Sequence, residues 1–315
     1  MARETTGVPV WKKFSALFGL VGLCVIMSLI SGVFLTTGNI LNILSQISVI
    51  SVIAAGSTFV ILTGGIDLSV GSIMGLCGVL SAGVLKSTGS VPAAIAVCLA
   101  VGGVIGLING YFIAYQKIPA FVATLGMMSI ARGFCFIYTK GKPISIFPDS
   151  FRFFGAGYLG SIPVIAVEVV LVYCLAWFIL RQRPFGRYIY SIGSNEDATR
   201  LAGINTNFHK MLTYAINGLL CGFAALLFIG RINSGHPLSG NGYELNAIAA
   251  VVIGGTSLSG GRGSIIGTAI GSLIMGVISN GLNLMNVDAF WQGVVLGVVI
   301  ILAVLVDIKS KAGSK

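Results

Sequence analysis

The sequence predicts an all-α integral membrane protein with about ten transmembrane helices, and three observations carry that prediction. Of its 315 residues, 56% are hydrophobic and only 9% charged, and the mean hydropathy is +0.98. A soluble domain carries about 25% charged residues, so these charges are too few to clothe a water-facing surface. The apolar residues fall in continuous runs, not in the two-residue alternation of a membrane barrel. Glycine, at 44 residues, would weaken soluble helices, but between membrane helices it lets backbones approach closely.

About 20 mainly apolar residues are needed to cross the hydrocarbon core as a helix. Such runs cover residues 14–35, 44–63, 68–85, 91–115, 120–138, 162–180, 211–230, 245–258, 265–284 and 290–306. The third is rich in Gly and Ser and the eighth is short, so both are candidates for broken or re-entrant segments. Lys12 and Lys13 precede the first run, as in a secretory signal. That run is long and lacks an A-x-A-like cleavage site, so it is expected to stay as an anchor. Residues 1–315 read as a single transmembrane domain.

A formal charge of +10 would suggest nucleic acid as partner in a soluble protein. Here the basic residues sit at span ends, as the positive-inside rule requires, and no nucleic-acid partner is expected. With the N-terminus inside, 13 of the 19 Lys and Arg residues fall on the inner side and five on the outer, with Arg132 within a span. Both termini and the polar segment 181–210 are therefore expected in the cytoplasm, with 139–161 and 231–244 outside. The six cysteines all lie in or beside apolar runs, without a C-x-x-C pair or a histidine cluster. They read as small hydrophobes, with no disulfide or metal implied.

Two inner loops echo each other. Gly64-Gly65-Ile66-Asp67-Leu68-Ser69 resembles Gly254-Gly255-Thr256-Ser257-Leu258-Ser259, and Gly-Ser-Ile follows each. Transporters are often built from internal repeats with interrupted helices at matching places. Gly64, Gly65, Asp67, Ser69, Gly254, Gly255 and Ser257 are thus candidate gating or structural positions. Asp67, ahead of Leu68-Ser69-Val70, is expected to cap the third span.

The segment 181–210 holds the clearest local design. Ser194 and Asp197 have capping-box spacing, Glu196 and Asp197 lie in the first turn, and Arg200 and Gly203 come at the other end. Acids early and a base late suit the helix dipole, and Gly203 can close the helix in a left-handed conformation. A two-turn helix over 195–202 follows, with Ala198, Leu201 and Ala202 to bury, either in a partner's groove or against the bundle itself.

Ionisable residues in or at the spans each need a reason, because a central charge costs about 2.5–3.5 kcal/mol on insertion scales. Arg132 and Glu168 are expected to pair between spans. Asn280 and Asn283, with Gly276, share a face of the ninth span. They would line a pathway for a neutral polyhydroxylated solute or hydrogen-bond between helices. No phosphate loop of the G-x-x-x-x-G-K-[ST] kind, no H-E-x-x-H and no nucleophile–base pair occurs. Neither catalytic residues nor a cofactor in this chain are expected, and without a carboxylate relay in any span a proton- or sodium-coupled secondary transporter is the weaker reading.

Three stretches resemble bacterial ribose-type sugar ABC transporter permeases: residues 64–72, residues 243–258, and Phe185-Gly186-Arg187-Tyr188-Ile189-Tyr190 continuing to Gly193-Ser194-Asn195-Glu196-Asp197-Ala198-Thr199-Arg200-Leu201-Ala202-Gly203-Ile204. Ala303-Val304-Leu305-Val306-Asp307 is similar too, and the resemblance runs from about residue 35 to 308. It implies a permease homodimer in the bacterial inner membrane that moves a monosaccharide, ribose being the best single guess. It also implies a separate ATPase subunit that binds ATP and magnesium, and an extracytoplasmic sugar-binding protein. The family's ATPase-coupling loop maps onto 196–203, which makes Ser194, Asn195, Glu196, Asp197, Arg200, Leu201 and Gly203 the candidate coupling residues. Asp197 stands where an alanine is more usual in the family. The short helix should accept it, since an acid in the first turn is favourable.

The charge asymmetry makes a testable prediction. In a cysteine-free background, a cysteine at position 196 should react with a membrane-impermeant thiol reagent only after the cells are opened. Cysteines at 148 and 236 should react in intact cells.

Overall fold

The structure, a computed structural model, describes residues 15–312; Arg3, Lys12, Lys13 and Lys315, which contribute to the expected topology, lie outside the described residues. Among the described residues there are 13 helices. The first seven are α1 (Ser15–Ile30), α2 (Thr37–Leu62), α3 (Val70–Thr88), α4 (Val91–Ala114), α5 (Ala120–Thr139), α6 (Asp149–Ala156) and α7 (Val164–Gln182). The other six are α8 (Pro184–Ser194), α9 (Glu196–Leu201), α10 (Thr206–Ile232), α11 (Tyr243–Ile253), α12 (Ile265–Leu284) and α13 (Ala289–Ala312). Seven of them (α2, α3, α4, α5, α7, α10 and α12) are long and apolar enough to cross a membrane. The remaining three expected spans correspond to shorter apolar helices: residues 16–30 of α1, all of α11, and residues 290–302 of α13.

Of the two spans that looked irregular, only one is. The Gly- and Ser-rich third span forms one continuous 19-residue helix, α3. Its glycines are packing positions: a Cβ at Gly71 would strike the carbonyl of Gly240, and one at Gly78 would crowd Ile229. The eighth span is short. At 11 residues, α11 rises about 16 Å, roughly half of the ~30 Å hydrocarbon core. It stops at Ile253 and not near 258, because Gly254 and Gly255 end it.

At the centre stands α10, the longest helix among the described residues at 27 residues. It packs on α4 through facing glycines four residues apart. A Cβ on Gly102, Gly106 or Gly110 of α4 would collide with the backbone of Gly218, Tyr214 or Met211, and one on Gly218 or Gly222 would strike α4 in return. Lipid tails are as apolar as leucine, so such helices associate through close packing more than through the hydrophobic effect. The small residues are what makes that packing close. The buried core spreads from this contact over α2, α3 and α11, through Ile53, Ile73, Met74, Leu227 and Val251 among others.

The loops separate into two sets, one at each end of the bundle. At one end, β1 (Ile144–Ser145) pairs antiparallel with β4 (Ser234–Gly235), and Phe147 N–H donates to Asn233 Oδ1 at 2.9 Å. A second two-stranded ladder, β2 (Tyr158–Leu159) with β3 (Ile162–Pro163), lies in the same connection. At the other end, Gly261 N–H donates to the Leu62 carbonyl at 2.9 Å, Tyr190 hydroxyl to the Gly263 carbonyl at 3.0 Å, and Lys117 Nζ to Asn207 Oδ1 at 2.7 Å. This grouping agrees with the outer and inner loop sets assigned from charge.

The glycine contact predicts a steric effect. Gly106→Val should separate α4 from α10 and destabilise the protein by about 1–3 kcal/mol, as overpacking does. Gly103→Val, at a position with open space beside it, should be near neutral. Melting temperatures of the two purified variants in detergent would compare them.

Candidate functional site: the capped loop helix and the polar cluster behind it

The segment 183–205 folds as two helices, of which only α9 was anticipated. Pro184 opens α8 at a position where its missing N–H costs nothing. Ser194 ends α8, its hydroxyl donating to the Tyr190 carbonyl at 2.9 Å. It does not cap α9, as the Ser194–Asp197 spacing had suggested. Asn195 takes that place: its backbone is extended and its Oδ1 accepts from Ala198 N–H at 2.9 Å. The capping residue sits one position later because α8 consumes Ser194. Helix α9 is correspondingly short, at six residues, and Gly203 follows it at φ +83°, its N–H donating to the Arg200 carbonyl. Leu201 is 90% exposed, so the apolar side of α9 is not folded back against the bundle. Beside it runs a groove of about 430 Å³ lined by Tyr190, Ser191, Asn195, Ala198, Ala202 and Ile204 among others.

Glu196 anchors this helix to the bundle. Its carboxylate accepts from Arg200 at 3.0 Å within α9 and from Lys210 Nζ at 2.8 Å on α10. Burial by itself would raise its carboxyl, but the ammonium of Lys210, with Lys117 and Arg200 nearby, outweighs it and holds the group below the ordinary carboxylate range. Asp197 faces solvent and meets Arg200 at 3.5 Å.

Immediately behind lie the two glycine loops. At the end of α2, Gly64 has φ +78°; its N–H donates to the Ile61 carbonyl and that of Gly65 to Val60. At the end of α11, Gly255 has φ +86°, with Gly255 N–H to Val252 and Thr256 N–H to Val251. Both are Schellman ends, in which a left-handed residue turns the chain back onto orphan carbonyls. The echo is therefore structural, but its register is shifted by one. Gly64 corresponds to Gly255, and Thr63 to Gly254, because the left-handed turn and not the first glycine is the equivalent point. Ser257 N–H donates to the Arg262 carbonyl, closing the second loop on itself. The loops touch each other and α8 at glycines. A Cβ on Gly193 would collide with the Leu62 carbonyl and Gly261, and one on Gly260 would crowd Gly64.

Asp67 is not a helix cap. The first residue before α3 is Ser69, whose side chain makes no capping bond. Asp67 is 3% exposed, and its carboxylate points inward. Oδ1 accepts from Ser69 N–H at 2.9 Å and from Ser69 hydroxyl, and Oδ2 accepts from Asn217 Nδ2 of α10 at 2.9 Å. Asn109 of α4 donates to Ser69 Oγ at 2.9 Å. Asp67 lies three residues before α3 and reaches across to α10.

Elsewhere the expected polar partners differ. Arg132 does not meet Glu168; its guanidinium donates to the carbonyls of Pro237 and of Ser239, the latter at 2.9 Å. The outer loop folds over the arginine and supplies backbone oxygens, while Glu168 Oε2 is buried without a hydrogen-bond partner. Asn280 and Asn39 of α2 exchange two amide hydrogen bonds, at 3.0 and 2.8 Å, and Asn283 accepts from Gln292 at 2.7 Å. These amides join helices, and Asn280 is buried in its contact with Asn39. A larger cavity of about 720 Å³ between α2, α7 and α12 has mostly apolar walls, such as Ile47, Val170, Trp177 and Leu273, ill-suited to sugar hydroxyls.

Sequence reasoning missed Asn109, Tyr214 and Asn217 and gave Lys210 no partner. Their signal was present: Lys210, Tyr214 and Asn217 fall at i, i+4 and i+7, and Asn109 interrupts an apolar run.

The matching family model is described as the permease component of a branched-chain amino acid transport system, and it covers residues 39–304. The chain belongs to this permease family. It is 45% identical over 300 residues to the ribose import permease protein RbsC of Escherichia coli (strain K12), covering 94% of each chain. It is 46% identical over 305 residues to RbsC of Bacillus subtilis (strain 168), covering 96% of this chain and 95% of that one. Against the fructose import permease protein FrcC of Rhizobium meliloti it is 39% identical over 288 residues, 89% of this chain and 80% of that one. No solved structure matches the chain. The permease is a multi-pass protein of the bacterial inner membrane.

The Glu196 pair makes a pH prediction. A carboxyl held below its unfolded value, about 4.3, contributes stability that is present above that value and lost as pH falls through the folded one. A spin label on Leu201→Cys should therefore become more mobile below about pH 4.3. Glu196→Gln should leave the label mobile at every pH and abolish the transition.

Proposed function

We propose that this permease is the membrane-spanning subunit of an ATP-driven importer that brings a monosaccharide into the cytoplasm, with D-ribose the best single candidate. The identity to ribose import permeases over nearly the whole chain is the observation that carries this reading. A separate ATPase subunit would bind ATP and magnesium and dock on α9, and an extracytoplasmic sugar-binding protein would deliver the substrate to the outer loops. The exposed Leu201 and the groove beside α9 support the docking role: a six-residue helix is too short to be stable alone, and this one is held by Asn195, Glu196 and Gly203 with its apolar side chain outward.

Two copies would enclose the pathway. Inside one copy, buried polar side chains of different helices are paired with one another, Asn39 with Asn280, Thr58 with Thr268, and Asp67 with Asn217. A route for a polyhydroxylated solute is better placed between copies than through one.

The docking role makes a separable prediction. Leu201→Asp should change folding stability by no more than about 0.5 kcal/mol, as for other surface positions, yet weaken capture of the ATPase subunit and slow uptake of D-ribose. Gly203→Val should add a local cost of about 1–2 kcal/mol, because a β-branched residue is penalised in the left-handed region. Co-purification of the ATPase subunit and labelled D-ribose uptake, each normalised to folded permease, would check both. Wild-type capture and uptake in both variants would place the docking site elsewhere.

A further inference from the structure

Three polar side chains on α10 form a single stripe. Lys210, Tyr214 and Asn217 are spaced i, i+4 and i+7, which brings them to nearly the same face of the helix over about 10 Å of its length. Each holds something different from the others' own helix. Lys210 Nζ holds Glu196 of α9 at 2.8 Å. Tyr214 hydroxyl reaches the Ile66 carbonyl at 3.5 Å, and Asn217 Nδ2 holds Asp67 at 2.9 Å. One end of the stripe grips the loop helix and the other grips the buried loop between α2 and α3.

We propose that this face of α10 is the lever that couples α9 to the 63–69 loop, with Lys210, Tyr214 and Asn217 as its positioning residues. The inference rests on the docking role proposed for α9. The geometry favours transmission over mere bracing for two reasons. An α-helix does not stretch over two turns, so an axial displacement of Lys210 that follows Glu196 is carried along α10 to Asn217. The 63–69 loop is also held at its other end by α8, where Gly193 lies against the Leu62 carbonyl and Gly261 N–H donates to that same carbonyl. Movement of 193–203 therefore reaches both ends of the loop, directly at Leu62 and through α10 at Asp67. Asn217 is itself confined on one side. A Cβ on Gly56 of α2 would collide with its amide oxygen, so the amide lies against α2 and cannot move towards it.

The test uses the complete importer, with permease, ATPase subunit and sugar-binding protein in vesicles and radiolabelled D-ribose as substrate. In Lys210→Met, which frees α9 from α10, the ATPase subunit is supplied in excess so that every permease is occupied, and ATP hydrolysis should then continue. The ribose moved per ATP should fall about fivefold or more, the lower end of ordinary coupling between sites. Lys210→Arg, which keeps the charge, should restore most of it. A cysteine at position 66 reads the far end: ATP should change its rate of thiol labelling in the parent, and Lys210→Met should abolish that change. An unaltered ribose-to-ATP ratio in Lys210→Met would overturn the lever. So would failure of that variant to bind the ATPase subunit even in excess, which would make Lys210 part of the docking site and not of a lever behind it. Failure of the parent permease to capture the ATPase subunit would instead refute the docking role, and the lever would fall with it.

Discussion

A helix leaves its last carbonyls without intrahelical partners, and where such an end is packed against other backbone each unsatisfied group costs about 1–3 kcal/mol. This permease ends two helices at one end of its bundle, α2 at Leu62 and α11 at Ile253, and solves both in one way. A left-handed glycine folds the following N–H groups back onto the orphan carbonyls. One carbonyl is also shared outward, since Leu62 accepts from Gly261 of the other loop. Much of the architecture at this end follows from that solution. The loops are made narrow by glycine, and narrowness is what lets them touch each other and α8 through their backbones.

The same economy of volume governs the helix contacts. Close approach of α4 and α10 needs glycine at both surfaces, and it brings Asn109 and Asn217 to within reach of Ser69 and Asp67. A charge buried this deeply would be costly if it stood alone. Here the carboxylate accepts hydrogen bonds on both oxygens, from the start of α3 and from α10. The cluster thereby becomes a junction among helices that are far apart in the chain, and it stands directly behind the loop helix proposed to meet the ATPase.

Most of the spans could be read from the sequence, because hydrophobic length is a local property. Boundaries failed where a tertiary partner decided them. Ser194 was consumed by α8, which moved the cap of α9 to Asn195. The register of the repeat slipped by one because the left-handed turn, not the first glycine, is its fixed point. Arg132 found loop carbonyls and not Glu168, because the 231–244 loop folds over it. The amide of Asn280 turned to Asn39, more than 200 residues away along the chain.

By itself the sequence determined an all-helical membrane protein, the division of its loops into two sets, the presence of a repeated glycine turn and a short capped helix in its most polar loop. Each is set by composition or by residues within a few positions of one another, through hydrophobic length, charge asymmetry, left-handed backbone and helix-end chemistry. Only the tertiary structure decided what the buried polar groups hold. Asp67 with Asn217, Glu196 with Lys210, Asn39 with Asn280 and Gly193 against Leu62 all join different elements of the fold. Such partners are chosen by which helix faces meet, and that is settled by the packing of the whole bundle and not by any local pattern.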